Sequence, residues 1–170
     1  LLVVLMTSQE AAALARAFDL AASPEVAHGP NPRVGAVILS TDGTVLGEGW
    51  HRGAGTAHAE VDALTRAAAD GHDVRGATMV VTLEPCHHTG RTGPCSQAIA
   101  DAGIARVVFA MTDPHPVAAG GATWLRAQGV DVVGDVDPAR ARALNEPWVH
   151  AVSRGRPWVT YKVAMTLDGR

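Results

Sequence analysis

Three residues able to ligate a soft metal, His58, Cys86 and Cys95, stand in three separate stretches of this 170-residue chain, and any fold must bring those stretches together if the residues are to act as one site. His58 opens His58-Ala59-Glu60, and Val61, Ala63, Leu64 and Ala67 follow at helical spacing until Asp70-Gly71. The imidazole and Glu60 therefore fall in a first helical turn. Cys86 ends Thr82-Leu83-Glu84-Pro85-Cys86, directly after the β-branched run from Ala77 to Leu83, so its thiol leaves the carboxyl end of a strand. Cys95 closes Gly93-Pro94-Cys95. Each cysteine follows a proline, and proline favours the first position of a helix, which predicts each thiol in a first turn with its pKa lowered by the positive helix end. Catalytic zinc takes three protein ligands and keeps a fourth position open to water. One imidazole and two thiols supply that count, and Glu60, on another side of the helix from His58, is the candidate general acid and base.

Taken singly these features are weak. With eight histidines in the chain, an H-x-E triplet arises by chance about 0.3 times. Two cysteines can also pair as a disulfide or pack as small hydrophobes. The combination is more specific: zinc nucleobase deaminases carry H-x-E followed by P-C-x-x-C. This chain departs from that spacing, because eight residues, including His87, His88 and Arg91, separate Cys86 from Cys95.

The surrounding pattern predicts an α/β fold. Thr7 to Glu10 has capping-box spacing, and an amphipathic helix from Ser8 to Ala22 carries Leu14, Phe18 and Leu20. In Pro30-Asn31-Pro32 each proline restricts its predecessor, so Asn31 sits in a stiff extended loop able to present an amide. Val34 to Leu39 is a continuous apolar run, expected of a strand covered on both faces. Asp42-Gly43 then turns the chain into Val45 to Trp50 as an antiparallel partner. Beyond the His58 helix and the Ala77–Leu83 strand come a helix from Cys95, a strand at Arg106 to Ala110, a helix at Ala119 to Ala127, a strand at Val130 to Val133 and a helix from Pro138 to Leu144. Alternation of this kind implies a three-layer α/β/α fold with a mixed, largely parallel central sheet. Arg156 to Arg170 again reads as a strand, one with no partner among the units before it. Trp50, Trp124, Trp148 and Trp158 are too scattered for a stacking platform and read as packing.

Over nearly the whole chain from Met6, the residues resemble the pyrimidine deaminase domains of the bacterial riboflavin-biosynthesis RibD family. The motifs that carry this are Pro30-Asn31-Pro32-Arg33-Val34-Gly35-Ala36-Val37, Gly49-Trp50-His51, His58-Ala59-Glu60-Val61, and the run from Thr82 through Cys86-His87-His88-Thr89-Gly90-Arg91-Thr92-Gly93-Pro94 to Cys95. The resemblance implies a cytidine-deaminase-like fold and hydrolytic removal of the 2-amino group of 2,5-diamino-6-(5-phosphoribosylamino)pyrimidin-4(3H)-one. It implies Zn2+ held by His58, Cys86 and Cys95, proton transfer by Glu60, and substrate contacts from Asn31, His51, His88 and Arg91, with the arginine suited to phosphate. It also implies a homo-oligomer, a deaminase domain over residues 6–150, and a linker and first strand of an otherwise absent reductase domain over 151–170. Two departures stand out: Gly93 replaces a frequent proline, and His115 replaces a usual asparagine in a loop one residue shorter.

Two rival readings share the zinc residues. A deaminase of another nucleobase, nucleoside or tRNA adenosine has no need of the long Cys86–Cys95 insertion. The tRNA version would also want a basic surface, whereas the net charge is −3, which argues against nucleic acid. A non-catalytic zinc module would close its site with a fourth protein ligand, for which His87 and His88 are the candidates. Two cysteines committed to metal suit a reducing cytoplasm, and Leu1 to Leu5 is too short to span a membrane.

Overall fold

The computed structural model describes residues 6–26, 29–89, 93–166 and 168. The capping box forms as its spacing predicts: the Glu10 N–H donates to Thr7 Oγ1 at 3.1 Å and the Thr7 N–H to Glu10 Oε2 at 2.6 Å, opening α1 (Ser8–Ala21). Then follow β1 (Gly35–Leu39), β2 (Val45–Trp50), α2 (Ala59–Ala69), β3 (Thr78–Val81), α3 (Cys95–Asp101), β4 (Arg106–Phe109), α4 (Gly121–Ala127), β5 (Asp131–Val133), α5 (Pro138–Leu144) and α6 (Glu146–Arg154).

The five strands form one sheet in the order β2-β1-β3-β4-β5. β1 runs antiparallel to β2 and β3, while β3, β4 and β5 are parallel, so four strands share a direction and only β1 opposes them. All five residues of β1 are buried, as its unbroken apolar run requires of a strand covered on both faces. The pairing register separates the two faces. Ala36 and Ile38 lie beside Gly49 and Gly47, and these glycines pack against Ala59, Ala63 and Ala67 of α2. Val37 lies beside Glu48 on the other face, where Gly35 abuts Ala17 of α1 and Glu48 accepts two 2.8 Å hydrogen bonds from Arg16, while the ring of Trp50, at the end of the edge strand, lies under Arg66 of α2. Contacts of α2 with α3 and of α3 with α4 complete the α2 layer, and Arg140 of α5 stacks over Phe18 of α1 on the opposite side.

The antiparallel β1 decides where function can sit. Its first residue meets the end of β3: the Gly35 N–H donates to Thr82 Oγ1 at 3.2 Å and the Thr82 N–H donates to the Gly35 carbonyl at 3.1 Å. The Asn31 loop, which enters β1, and the Cys86 segment, which leaves β3, therefore arrive at one end of the sheet. Ligand sites of α/β sheets lie at the carboxyl ends of the parallel strands.

Several sequence expectations change. Cys95 opens α3 with Pro94 as its N-cap, but Cys86 lies in an irregular segment and not in a helical turn. Helix α6 is absent from the sequence reading, because its apolar stripe of Trp148, Val149 and Val152 is too short to register as a period; it straddles the expected boundary at residue 150. The strand expected from Arg156 onward does not form among the described residues, which leave Val159, Tyr161, Val163 and Met165 exposed and unpaired with any strand. No helix among the described residues is long and apolar enough to cross a membrane.

Candidate active site

His58 is the N-cap of α2, in extended conformation, and Ala59 and Glu60 begin the helix. Across from it, the Ser96 N–H donates to the Cys86 carbonyl at 3.2 Å and His87 Nδ1 lies 2.8 Å from Ser96 Oγ, which ties the two cysteine segments together. His87 also stacks on Trp124 with ring centroids 5.0 Å apart. It is thereby committed to holding the loop and does not join the ligand cluster.

His58 Nδ1 lies 3.2 Å from Cys95 Sγ and 3.5 Å from Cys86 Sγ, and all three donor atoms fall within 4.8 Å of one another. Bonds of ~2.3 Å to sulfur and ~2.0 Å to nitrogen at a tetrahedral angle place donors roughly 3.5 Å apart, so the donor set fits zinc. Among the described residues no fourth donor joins the group, which leaves the open position that a catalytic site needs and a structural site lacks. Hydrogen bonding from Cys95, opposed by burial and aided by His58, brings the Cys86 thiol down to about 4. The same shared proton, with burial, pushes Cys95 upward, and a metal held by both sulfurs must displace the protons they carry.

Glu60 is buried beside this cluster. Burial first, then the Cys86 thiolate, raises its carboxyl to about 7. Desolvation of this kind suits a group that must both accept and return a proton near neutral pH.

One pocket of about 760 Å³ exposes His58, Glu60 and Cys86 and is walled by Asn31, His51, His88, Asp113, His115 and Trp148 among others. Asn31 and His51, each expected to face the substrate, bond to one another, with Asn31 Nδ2 2.9 Å from His51 Nε2, while His51 Nδ1 lies 2.9 Å from the Ala57 carbonyl. Since a carbonyl can only accept, the ring carries its proton on Nδ1 and accepts at Nε2. Burial lowers the His51 pKa, consistent with that neutral form. Both ring nitrogens of His51 are thus occupied, and among the described residues Asn31 keeps its Oδ1 and one N–H for a ligand. His88 Nδ1 is buried with no hydrogen-bond partner among the described residues. Arg91 lies outside the described residues.

Three pocket features escaped the sequence reading. Trp148 packs against the core as expected and in addition lines the wall together with Ala151 and Val152 of α6. Asn145, buried before α6, accepts the Arg33 N–H at 2.7 Å and donates to the Arg33 carbonyl at 3.0 Å, which clamps the Asn31 loop to that helix. Glu84 is a buried carboxylate at the end of β3. Its place in Thr-Leu-Glu-Pro-Cys was the available signal: a charged residue in a strand exit flanked by apolar neighbours.

Residues 7–111 match the family described as the cytidine and deoxycytidylate deaminase zinc-binding region. Over 140 residues the chain is 50% identical to the riboflavin biosynthesis protein RibD of Corynebacterium ammoniagenes, a match covering 82% of this chain and 41% of that protein. Among solved structures it is similar to a diaminohydroxyphosphoribosylaminopyrimidine deaminase/5-amino-6-(5-phosphoribosylamino)uracil reductase from Thermotoga maritima, with TM-score 0.87, 40% identity, and coverage of 94% of this chain and 46% of that one. It is also similar to a dCMP deaminase of the cyanophage S-TIM5, with TM-score 0.58, 25% identity, and coverage of 76% and 99% respectively. The chain spans less than half the length of the RibD relatives it matches.

Proposed function

Because the chain belongs to the cytidine and deoxycytidylate deaminase zinc-binding family, we propose that it deaminates the riboflavin-pathway pyrimidinone, 2,5-diamino-6-(5-phosphoribosylamino)pyrimidin-4(3H)-one, by hydrolysis. The observation that carries the reading is the burial of Glu60 beside the His58, Cys86 and Cys95 donors, with His58, Glu60 and Cys86 lining one pocket. Zinc bound by those three residues supplies the positive charge that lets water act as a nucleophile near neutral pH.

The protein's own groups do the rest. Glu60 takes one proton from the attacking water and delivers it to a ring nitrogen, then takes the second from the hydroxyl now on the ring carbon and passes it to the departing amine, so that as the carbonyl forms one water is consumed and ammonia is released. Its raised pKa supports both directions of transfer. Asn31, oriented by His51, offers one acceptor and one donor to the edge of the pyrimidine. His88 offers a ring nitrogen, Nδ1, that has no partner among the described residues. Arg91, on the same insertion, is assigned to the phosphate because its planar donors match two oxygens at once.

The reading extends to the whole protein. Beyond α6, whose Ala151 and Val152 line the pocket, the rest of the 151–170 stretch leads toward a reductase domain, and the exposed apolar side chains of Val159, Tyr161 and Met165 support that assignment, since a segment of this composition needs a covering partner. The reading takes the protein to act as a homo-oligomer in a reducing cytoplasm; the two free, buried cysteines that serve the metal support the reducing compartment. The test is ammonia release from the phosphorylated pyrimidinone with cytidine, guanine and adenosine-containing tRNA in parallel, before and after chelation. Zinc-dependent release from the pyrimidinone alone is expected; release only from another base discards the substrate while keeping the family chemistry.

A further inference from the structure

Glu84 is only 6% exposed, and no cation pairs with it among the described residues. A buried carboxylate without a countercharge is costly unless donors surround it. Three main-chain donors do so: Oε1 accepts from the Gly120 N–H at 3.2 Å and the Ala122 N–H at 3.0 Å, and Oε2 accepts from the Asp113 N–H at 3.2 Å. Those amides stand at the two ends of the segment that joins β4 to α4. The same segment contributes Asp113, His115 and Ala118 to the pocket wall.

Further backbone contacts run beside the carboxylate. The Glu84 N–H donates to the Met111 carbonyl at 2.9 Å and the His87 N–H to the Ala118 carbonyl at 3.0 Å. At Gly121 an added Cβ would sit 1.8 Å from the Pro85 carbonyl oxygen, so the two strands of chain touch with no side chain between them. A single side chain thus fastens both ends of a pocket-lining loop to the strand exit that carries Cys86.

We propose that Glu84 is a positioning residue whose carboxylate sets the 113–120 loop as the pocket wall that receives the substrate, without touching the reacting atoms. Its activity arm rests on the deaminase reading; its structural arm does not. In Glu84→Gln the retained oxygen can serve only one end of the loop, and the new NH2 group meets an N–H at the other, where two donors cannot bond.

The experiment compares zinc-loaded wild type with Glu84→Gln by metal content, amide hydrogen exchange and steady-state kinetics on the pyrimidinone. Expected are one zinc per chain in both, faster exchange confined to residues 111–122, and a KM raised about tenfold with kcat within roughly threefold. Glu84→Asp, which keeps the charge but cannot span both ends, is expected to show the same confined exchange and serves where the glutamine variant does not fold. Unchanged exchange at 111–122, or an increase spread equally over β1 and α2 with loss of zinc, overturns the proposal. If wild type releases no ammonia from the pyrimidinone, the substrate reading fails, and the exchange comparison still decides the role of Glu84.

Discussion

Replacing Gly49 with alanine should damage the metal centre from behind. Gly47 and Gly49 face α2 from β2, and α2 answers with Ala59, Ala63 and Ala67, all fully buried. A Cβ at residue 49 would lie 2.3 Å from both the Ala59 carbonyl oxygen and the Ala63 nitrogen. Both are backbone atoms, so no side-chain rotation relieves the overlap. Restoring an ordinary contact of 3.4 Å requires the first turn of α2 to retreat by about 1 Å. Overpacking of this severity costs about 3 kcal/mol, which in a chain of this size lowers Tm by roughly 6–12 °C. The same turn carries His58 and Glu60, so a shift of that size spreads donors now 3.2 and 3.5 Å apart and should cut turnover on the order of a hundredfold. Thermal unfolding, zinc content and ammonia release measure the three effects. Gly93→Ala is the control, because nothing lies within 4 Å of its Cβ position and its backbone needs no left-handed geometry. A Gly49→Ala protein with wild-type Tm and full zinc would refute the close-packing argument, as would an equal loss in Gly93→Ala.

Asn145→Ala should orphan the Arg33 N–H and carbonyl, at about 1–3 kcal/mol per buried group; a lower Tm and a raised KM are expected, and unchanged values would deny the clamp between the Asn31 loop and α6. Burial pushes the Glu10 carboxyl up, but Arg106 and the Thr7 capping bonds outweigh it and hold it below its usual 4.5. Its folded pKa being depressed, its contribution to stability is present above about pH 4.5 and is lost as pH falls through the lower folded value. The Tm gap between wild type and Glu10→Gln should therefore narrow on acidification through that range, and a constant gap in an acid titration would contradict the pairing. Stripping zinc should lower Tm, because a ligand present at a thousand times its Kd stabilises by about 4 kcal/mol; Cys86→Ser should show no further loss on chelation.

Much of this architecture was legible because local chemistry and global fold agree. Thr7 and Glu10 announce α1, the unbroken Val34–Leu39 run announces a strand covered on both faces, and the His58, Cys86 and Cys95 donors converge as their spacing and strand-exit context require. What escaped depends on tertiary approach. Helix α6 has too short a stripe to show a period, yet it supplies Trp148 to the pocket. His51 looks in sequence like a free imidazole, but its partners Asn31 and the Ala57 carbonyl come from separate loops. The amides that satisfy Glu84 lie some thirty residues away, so only the charge itself, and not its purpose, could be read. Cys86 follows a proline like Cys95 does, but its segment is held by backbone bonds to the Ala118 and Ser96 regions and never turns into a helix.

The most direct test of the central claim is ammonia release from the pyrimidinone by zinc-loaded wild type and Glu60→Gln, with metal content measured on the same samples. The account predicts one zinc per chain in both proteins and turnover only in the wild type, because the amide retains the shape of the carboxyl but cannot move a proton. Near-normal turnover by Glu60→Gln at full zinc occupancy would contradict it.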